Sequence, residues 1–140
     1  MLQVRALAVV CLVALILLAQ NVFAEGAPQR ELPPSGKLNA AQALSLLKGP
    51  EKIDCAVIDV RTPAEYEEGH IPGAVLLPIE EMPGRLSDIP DDKPVILVCR
   101  TGIRAGDVWN MLRKARPDQV AWYIRAKPKY MANGEWTIVD

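Results

Sequence analysis

Six consecutive residues, CRTGIR, combine a nucleophilic sulfur with groups that bind anions. They follow an apolar run over residues 95–98 and precede a segment with helical spacing, which predicts a loop between a buried strand and a helix. Backbone N–H groups in such a loop, with the positive end of the helix dipole behind them, favour a negatively charged group. That group would be the Cys99 sulfur, held as a thiolate, the nucleophilic form of cysteine.

The other residues of this loop suit the same chemistry. Gly102 lets the loop close tightly because it has no Cβ. Arg100 and Arg104 add fixed positive charge and forked donors for an oxyanion. A cysteine at a strand end is more commonly a small buried hydrophobic residue, and it is the junction of strand and helix that favours a functional thiol here.

Apolar patterns elsewhere in the chain predict the elements that position this loop. Strands are predicted over residues 55–60, 74–77, 95–98 and 120–124, and helices after Asn39, after Thr62, over 80–87 and over 102–116. Strands that alternate with helices form a parallel sheet with right-handed crossovers. The functional crevice of such a sheet lies at the carboxyl ends of its strands, where CRTGIR is predicted to be. The predicted fold is a small three-layer α/β domain.

Two segments closely resemble the single-domain rhodanese family of sulfurtransferases. They are VIDVRTPAEYEEGHIPGAVLLP, residues 57–78, and VILVCRTGIRAG, residues 95–106, and the match covers about residues 37–116 in order and spacing. The resemblance implies a rhodanese-like three-layer fold with a central parallel sheet flanked by helices. It also implies that Cys99 takes a sulfane sulfur from a donor such as thiosulfate, carries it as a persulfide and passes it to a thiophilic acceptor such as cyanide or a thiol.

The resemblance assigns the rest of the loop to binding. Its backbone amides would hold the persulfide, and its arginine side chains would bind the departing sulfite. The loop residues so assigned are Arg100, Thr101, Gly102, Ile103 and Arg104. The family often has a polar residue at the position of Ile103 and serine or threonine at that of Ala105, so the rim here is drier, and polysulfide or an organic persulfide joins thiosulfate as a candidate donor.

Two alternatives accompany this interpretation. Cysteine-dependent phosphatases place five residues between cysteine and arginine, whereas four separate Cys99 from Arg104, and the smaller ring suits sulfur better than a phosphoryl group. From about residue 117 the chain departs from the family pattern. This tail, which is predicted to form an extra hairpin or an extended arm, motivates the alternative of a persulfide carrier or partner-binding module that delivers to a dedicated protein acceptor with little small-molecule turnover.

Four polar residues near the site are assigned structural rather than catalytic roles. Asp59, Arg61 and Glu65 are predicted to form an ion-pair network that braces the sheet end, and Glu65 also caps its helix. His70, the one histidine of the chain, lies in a segment that resembles the family's structural turn. We expect its imidazole to bond to backbone.

The two cysteines outside the first 24 residues are not expected to pair. Cys55 opens its strand and Cys99 closes a parallel one, which puts them about 16 Å apart at about 3.3 Å per residue. A disulfide needs Cα atoms within about 7 Å. Cys55 is therefore predicted to be a buried core residue, which leaves Cys99 as the reactive thiol.

The aromatic residues of the tail are also expected in the core, with a ligand-lining role as the alternative; they are Trp122, Tyr123, Tyr130 and Trp136.

The beginning of the chain predicts export. Arg5 followed by the apolar stretch 6–19 and by Val22-Phe23-Ala24 is typical of a secretory signal cleaved after residue 24, and an uncleaved anchor is the alternative. Residues 25–36 are then a flexible or extended proline-rich lead-in, and residues 37–140 the domain. The mature protein would be periplasmic in a Gram-negative bacterium, secreted otherwise, and independent of the membrane.

Composition excludes several classes of partner and cofactor. The 140 residues carry a net charge of −1, and the basic residues are scattered rather than gathered into a stripe, so nucleic acid is not an expected partner. The sequence contains no metal-ligand cluster and no phosphate-binding glycine loop. We therefore expect neither a metal nor another cofactor.

Overall fold

The computed structural model describes residues 31–140, so the predicted signal 1–24 and the first half of the lead-in 25–36 lie outside the described residues. Five parallel strands form one sheet in the order β1-β5-β4-β2-β3. These strands are β1 (Gly36–Leu38), β2 (Ala56–Asp59), β3 (Val75–Leu76), β4 (Val95–Val98) and β5 (Ala121–Ile124). Helices flank the sheet, which confirms the predicted α/β fold class.

Sequence signals explain where the helices begin. They are α1 (Ala40–Lys48), α2 (Pro63–Glu67), α3 (Met82–Arg85), which has a 3-10 turn on each side, and α4 (Ile103–Ala115). Asn39 and Gln42 form a capping box before α1, and Thr62 and Glu65 form another before α2. In each box the side chain of the first residue accepts a hydrogen bond from the backbone N–H of the second, and the side chain of the second accepts one from the backbone N–H of the first. Both helices therefore start where the sequence predicts.

The core places the CRTGIR loop on a rigid base. All four residues of β4 are fully buried, and its two sheet neighbours β2 and β5 pair with it along their length. Helix α4 buries Ala105, Val108 and Leu112 in the same cluster as the β4 residues. Because the end of β4 and the start of α4 are both fixed by packing, the loop between them is held at both ends.

One strand was not predicted. Strand β1 includes the last residue of the predicted lead-in and pairs with β5, with Gly36 opposite Trp122. The segment before it is also tied down, because the Ser35 hydroxyl donates to the Ala121 carbonyl at 2.5 Å and the Trp122 indole to the Pro34 carbonyl at 3.0 Å. A strand of three residues that begins with glycine and follows two prolines is too short to show the alternation of apolar and polar residues from which strands are predicted.

The C-terminal tail forms the hairpin that was one of its two expected conformations. Strands β6 (Lys127–Tyr130) and β7 (Trp136–Val139) pair antiparallel as a separate two-stranded sheet. Strand β7 contacts α1, where the Lys48 ammonium lies 4.5 Å from the centre of the Trp136 ring. Of the described helices, none has the length and apolar composition needed to cross a membrane.

Candidate active site

Cys99 lies directly after β4, at the carboxyl end of the sheet. The residue is 2% exposed, and the backbone N–H of Gly102 donates to its Sγ at 3.1 Å. Helix α4 begins at the next residue, Ile103, so the sulfur faces the start of a helix as the sequence predicts. An N–H donor and a helix N-terminus both favour a negatively charged sulfur.

Gly102 cannot be replaced without moving the loop. Its φ is +89°, a left-handed conformation that other residues rarely adopt. A Cβ at this position would collide with the Ile124 carbonyl oxygen and would lie 2.7 Å from Arg125 Cα. The loop therefore passes too close to the end of β5 for any residue with a side chain at this position.

A cavity of about 370 Å³ opens beside Cys99. Its lining combines cations, carboxylates and two side chains of the C-terminal hairpin: Arg61, Glu65, Glu68, Cys99, Arg100, Pro128 and Tyr130. The cavity could admit a small anion, with Cys99 on one wall. Within the described residues no group of three histidine, cysteine, aspartate or glutamate side chains could hold a metal ion.

The two loop arginines are in different environments. Arg100 is exposed and lines the cavity. Arg104 instead donates from both terminal nitrogens to Glu65, at 2.7 Å each. These bonds lower the pKa of Glu65 to about 2 and raise that of Arg104. Arg100 is thus the loop arginine whose side chain is available to an anion, whereas Arg104 ties the loop to helix α2.

The ion pairs near the sheet end differ from the predicted network of three. Arg61 donates to both carboxylate oxygens of Asp59, at 2.7 to 3.0 Å, and to the Gly69 carbonyl at 2.6 Å. Both members of that pair are buried. Glu65 keeps its predicted cap on Thr62 but binds Arg104, not Arg61. The ion-pair partner of Glu65 lies 39 residues away, beyond what local spacing reveals, although the charge of Glu65 still contributes to the raised pKa of Arg61.

The remaining loop residues and His70 lie outside the cavity lining. Thr101 is exposed, and Ile103 is 60% exposed, and neither lines the cavity. His70 Nδ1 lies 2.9 Å from the Tyr66 carbonyl oxygen, and its ring stacks on the Tyr66 ring with centroids 3.7 Å apart. The imidazole bonds to backbone, in keeping with a structural role.

Sequence reasoning favoured the core for Tyr130, with a ligand-lining role as the alternative, and gave Pro128 no role, yet both residues line the cavity. Tyr130 is packed so closely that a Cβ on Gly69, whose φ is +151°, would lie 2.6 Å from the Tyr130 Cβ. Burial raises the pKa of the Tyr130 hydroxyl to about 12. The aromatic content of the tail was the available signal, and it left core and ligand-lining roles open.

Cys55 is not the core residue that the sequence predicts. It is half-buried and lines a larger cavity, of about 700 Å³, at the other end of the sheet. Burial and the charge of Asp54 raise its pKa, against a smaller lowering by Lys93. Cys55 precedes β2, whose first two residues, Ala56 and Val57, are also only partly buried. Both described cysteines are free thiols.

Comparisons with known proteins agree with this geometry. The Rhodanese-like domain family matches residues 39–133. A sulfurtransferase of Allochromatium vinosum is 46% identical over 52 residues, which are 37% of this chain and 49% of that protein. The thiosulfate sulfurtransferase GlpE of Pseudoalteromonas translucida is 35% identical over 66 residues, 47% of this chain and 60% of that protein. The chain thus spans about half the length of these curated relatives.

Solved structures of other sulfurtransferases share the fold. The crystal structure of the Saccharomyces cerevisiae single-domain sulfurtransferase RDL2 superposes with a TM-score of 0.53 and 20% identity, covering 69% of this chain and 88% of that one. At this identity the likeness concerns the fold alone. With a family match over most of the described residues, a shared fold and a cysteine loop at the expected sheet edge, the chain belongs to the rhodanese-like sulfurtransferase family.

Proposed function

We propose that this protein transfers sulfane sulfur through a persulfide on Cys99. The observation that carries the proposal is the Gly102 N–H donated to Cys99 Sγ at 3.1 Å, in a loop that opens directly into helix α4. That donor stabilises a thiolate before reaction. In the persulfide, Sγ is the inner sulfur, and the backbone N–H groups of the same loop would stabilise the negative charge on the outer one.

In the first half-reaction the Cys99 thiolate attacks the outer sulfur of thiosulfate. A new S–S bond forms to Cys99, the S–S bond of the donor breaks, and its electron pair leaves with sulfite. No net oxidation occurs, and no proton is consumed if the thiol is already ionised. Arg100, which lines the cavity, would stabilise the charge that develops on the sulfite oxygens. A polysulfide would react in the same way with a shorter polysulfide as leaving group.

In the second half-reaction an acceptor attacks the outer sulfur of the persulfide. Cyanide would form a carbon–sulfur bond and leave as thiocyanate, while the S–S bond breaks and returns its electron pair to Cys99 as thiolate. The cavity of about 370 Å³ admits an acceptor of this size. A thiol acceptor would carry the sulfur away as its own persulfide. The enzyme is regenerated without a cofactor in either case.

We also propose that the reaction takes place outside the cytoplasm. The support is the sequence of residues 1–24, with Arg5, an apolar stretch and a small residue at the cleavage position. The expected mature protein begins at Glu25 and is periplasmic in a Gram-negative bacterium. Intact-mass measurement of protein recovered from the periplasm or the medium tests the cleavage, and a full-length mass in the membrane fraction would contradict it.

The decisive experiment is mass spectrometry of protein treated with a sulfur donor. Residues 25–140 incubated with thiosulfate or polysulfide should gain the mass of one sulfur atom, located on Cys99 by peptide mapping. Cys99→Ser should gain none, whereas Cys55→Ser, the matched control, should gain it as the unmodified chain does. Absence of the adduct with every sulfane donor would overturn the proposal.

Discharge of the persulfide separates the enzyme from the alternative of a carrier. Added cyanide should release thiocyanate repeatedly if the protein is a small-molecule sulfurtransferase. A persulfide that forms on Cys99 but survives cyanide and low-molecular-weight thiols would instead favour delivery to a dedicated protein acceptor. In that case the hairpin that lines the cavity, β6 and β7, is the first surface to test for partner contact.

A further inference from the structure

One buried side-chain polar atom within residues 31–140 has no hydrogen-bond partner, and it is the hydroxyl of Tyr130. Such atoms are rare in folded proteins because a buried hydroxyl without a partner has lost its hydrogen bonds to water. Tyr130 also lines the cavity at Cys99. Tyr130, the residue that carries this unpaired donor, therefore lines the site where a sulfur donor would bind.

The Tyr130 ring is held in place from two sides. The Arg61 guanidinium lies 5.2 Å from the ring centre, and Gly69 approaches so closely that it has no room for a side chain. Arg61 is itself fixed by its bonds to Asp59 and to the Gly69 carbonyl. A ring held this firmly presents its hydroxyl in one position, which lowers the entropy lost when a ligand binds.

The hydroxyl can act only as a neutral hydrogen-bond donor or acceptor. Burial raises its pKa to about 12, so it keeps its proton throughout the physiological range. The strongest acceptors among candidate sulfur donors are the oxygens of a sulfonate group, which are negatively charged, whereas the sulfur atoms of a polysulfide accept hydrogen bonds weakly.

Resting on the proposed function, we propose that the Tyr130 hydroxyl donates a hydrogen bond to a sulfonate oxygen of the bound sulfur donor. The C-terminal hairpin then makes the Cys99 site selective for donors that carry an oxyanion, namely thiosulfate and organic thiosulfonates, over polysulfides. A site with a buried polar group discriminates strongly against a ligand that leaves this group unpaired. Tyr130 is on this account a substrate-binding residue that sets donor class.

The test compares two donors on Tyr130→Phe, which removes the hydroxyl and keeps the ring. Persulfide formation on Cys99 is followed by stopped-flow and mass spectrometry with thiosulfate and with polysulfide. We expect kcat/KM for thiosulfate to fall about tenfold or more, mainly through KM, because a hydrogen bond to a charged oxygen is lost. The value for polysulfide should change less than about twofold. Tyr123→Phe, in a tyrosine outside the cavity lining, is the matched control and should change neither value.

The outcomes separate this inference from the proposed function. An equal loss with both donors, or no loss with either, would overturn the role of Tyr130 while leaving persulfide formation on Cys99 intact. The melting temperature of Tyr130→Phe, which should not fall because an unpaired hydroxyl is removed, shows that the fold is retained. If the unmodified chain forms no persulfide with any donor, the proposed function fails and the inference fails with it.

Discussion

The two ends of the central sheet each hold a cysteine, and they differ in what surrounds the sulfur. At the carboxyl end Cys99 is 2% exposed and accepts the Gly102 N–H. At the amino end Cys55 is half-buried, and burial together with Asp54 raises its pKa. One sulfur has a backbone donor aimed at it, whereas the other has surroundings that raise its pKa. Residue type alone would not distinguish them.

The larger of the two cavities lined by these cysteines lies at the end of the sheet opposite the proposed active site. The cavity at Cys55, about 700 Å³, is nearly twice the volume of the one at Cys99, about 370 Å³. The smaller cavity is nevertheless lined by Cys99, whose sulfur accepts the Gly102 N–H, by Arg61 of the buried ion pair with Asp59, and by Tyr130, whose hydroxyl is unpaired. Oriented polar groups in a restricted space identify a reactive site better than volume does.

The largest effect should come from adding one methyl group at the carboxyl end. Gly102→Ala places a Cβ against Ile124 and Arg125 at a φ of +89°, so the loop must move and its N–H must leave the Cys99 sulfur. Loss of a fixed donor of this kind is expected to slow persulfide formation about 100-fold or more. The rate with thiosulfate, measured by stopped-flow, checks it.

Gly73 supplies the matched control for that substitution. Its φ is +81°, but a Cβ there would meet nothing within 4 Å. Gly73→Ala should therefore cost only the left-handed strain, about 1–2 kcal/mol in urea unfolding, and leave sulfur transfer unchanged. Equal loss of activity in the two variants would show that backbone strain, rather than the displaced donor, controls the site.

A second contrast concerns the acidic residue near each end. Asp59→Asn leaves the Arg61 guanidinium buried opposite a neutral side chain and should lower the free energy of unfolding by about 3 kcal/mol. Asp54 faces Lys93 at 3.4 Å with its side chain 88% exposed, so Asp54→Asn should produce no measurable change. Urea unfolding at neutral pH measures both. A similar loss from the two substitutions would contradict the contrast between the ends.

The carboxyl end could be predicted from the sequence because its signals are local. The apolar run of β4, the glycine in the loop and the helical spacing of α4 lie within about twenty consecutive residues. Strand and loop together place Cys99 at the sheet edge once the sheet is known to be parallel. The capping boxes at Asn39 and Thr62 are equally local, which is why the starts of α1 and α2 agree with the prediction.

The features that escaped prediction are formed by residues far apart in the chain. Glu65 meets Arg104 across 39 positions, and Tyr130 reaches the cavity from a hairpin that follows the last strand of the main sheet. Cys55 comes directly before an apolar strand, but the beginning of that strand, β2, is only partly buried. Spacing reports which face of an element a residue occupies, but it does not report which other element covers that face.

The ion pair between α2 and the loop offers a pH-dependent test. Glu65→Gln keeps the capping box, which accepts glutamine, and removes the charge that binds Arg104. The variant should be less stable by about 2 kcal/mol at neutral pH. Since the folded pKa of Glu65 is about 2, below its ordinary 4.5, the stabilisation is full above pH 4.5 and is lost as the pH falls toward 2.

Unfolding curves of Glu65→Gln and the unmodified chain at several pH values check this dependence. The difference in free energy of unfolding between the two proteins should narrow as the solution is acidified. Glu67→Gln, which changes an exposed glutamate of the same helix, is the control and should leave the unfolding curve unchanged. A gap that stays constant down to about pH 3 would mean that the carboxylate of Glu65 does not carry the stabilisation.

The smallest effect should appear at the amino end, in the reactivity of Cys55. In a Cys99→Ser background, the rate of Cys55 alkylation should rise at a higher pH than the rate for an exposed thiol does. The reason is that burial, and to a smaller extent Asp54, raise the pKa of Cys55, while Lys93 lowers it. Asp54→Asn should speed alkylation about threefold at a fixed, mildly alkaline pH, and Lys93→Gln should slow it. Opposite signs are required, since any loosening of the fold would speed both variants. If alkylation is faster in both variants, access of the reagent rather than charge controls the reactivity of Cys55. The difference between the two cysteines would then rest only on the Gly102 N–H that donates to Cys99.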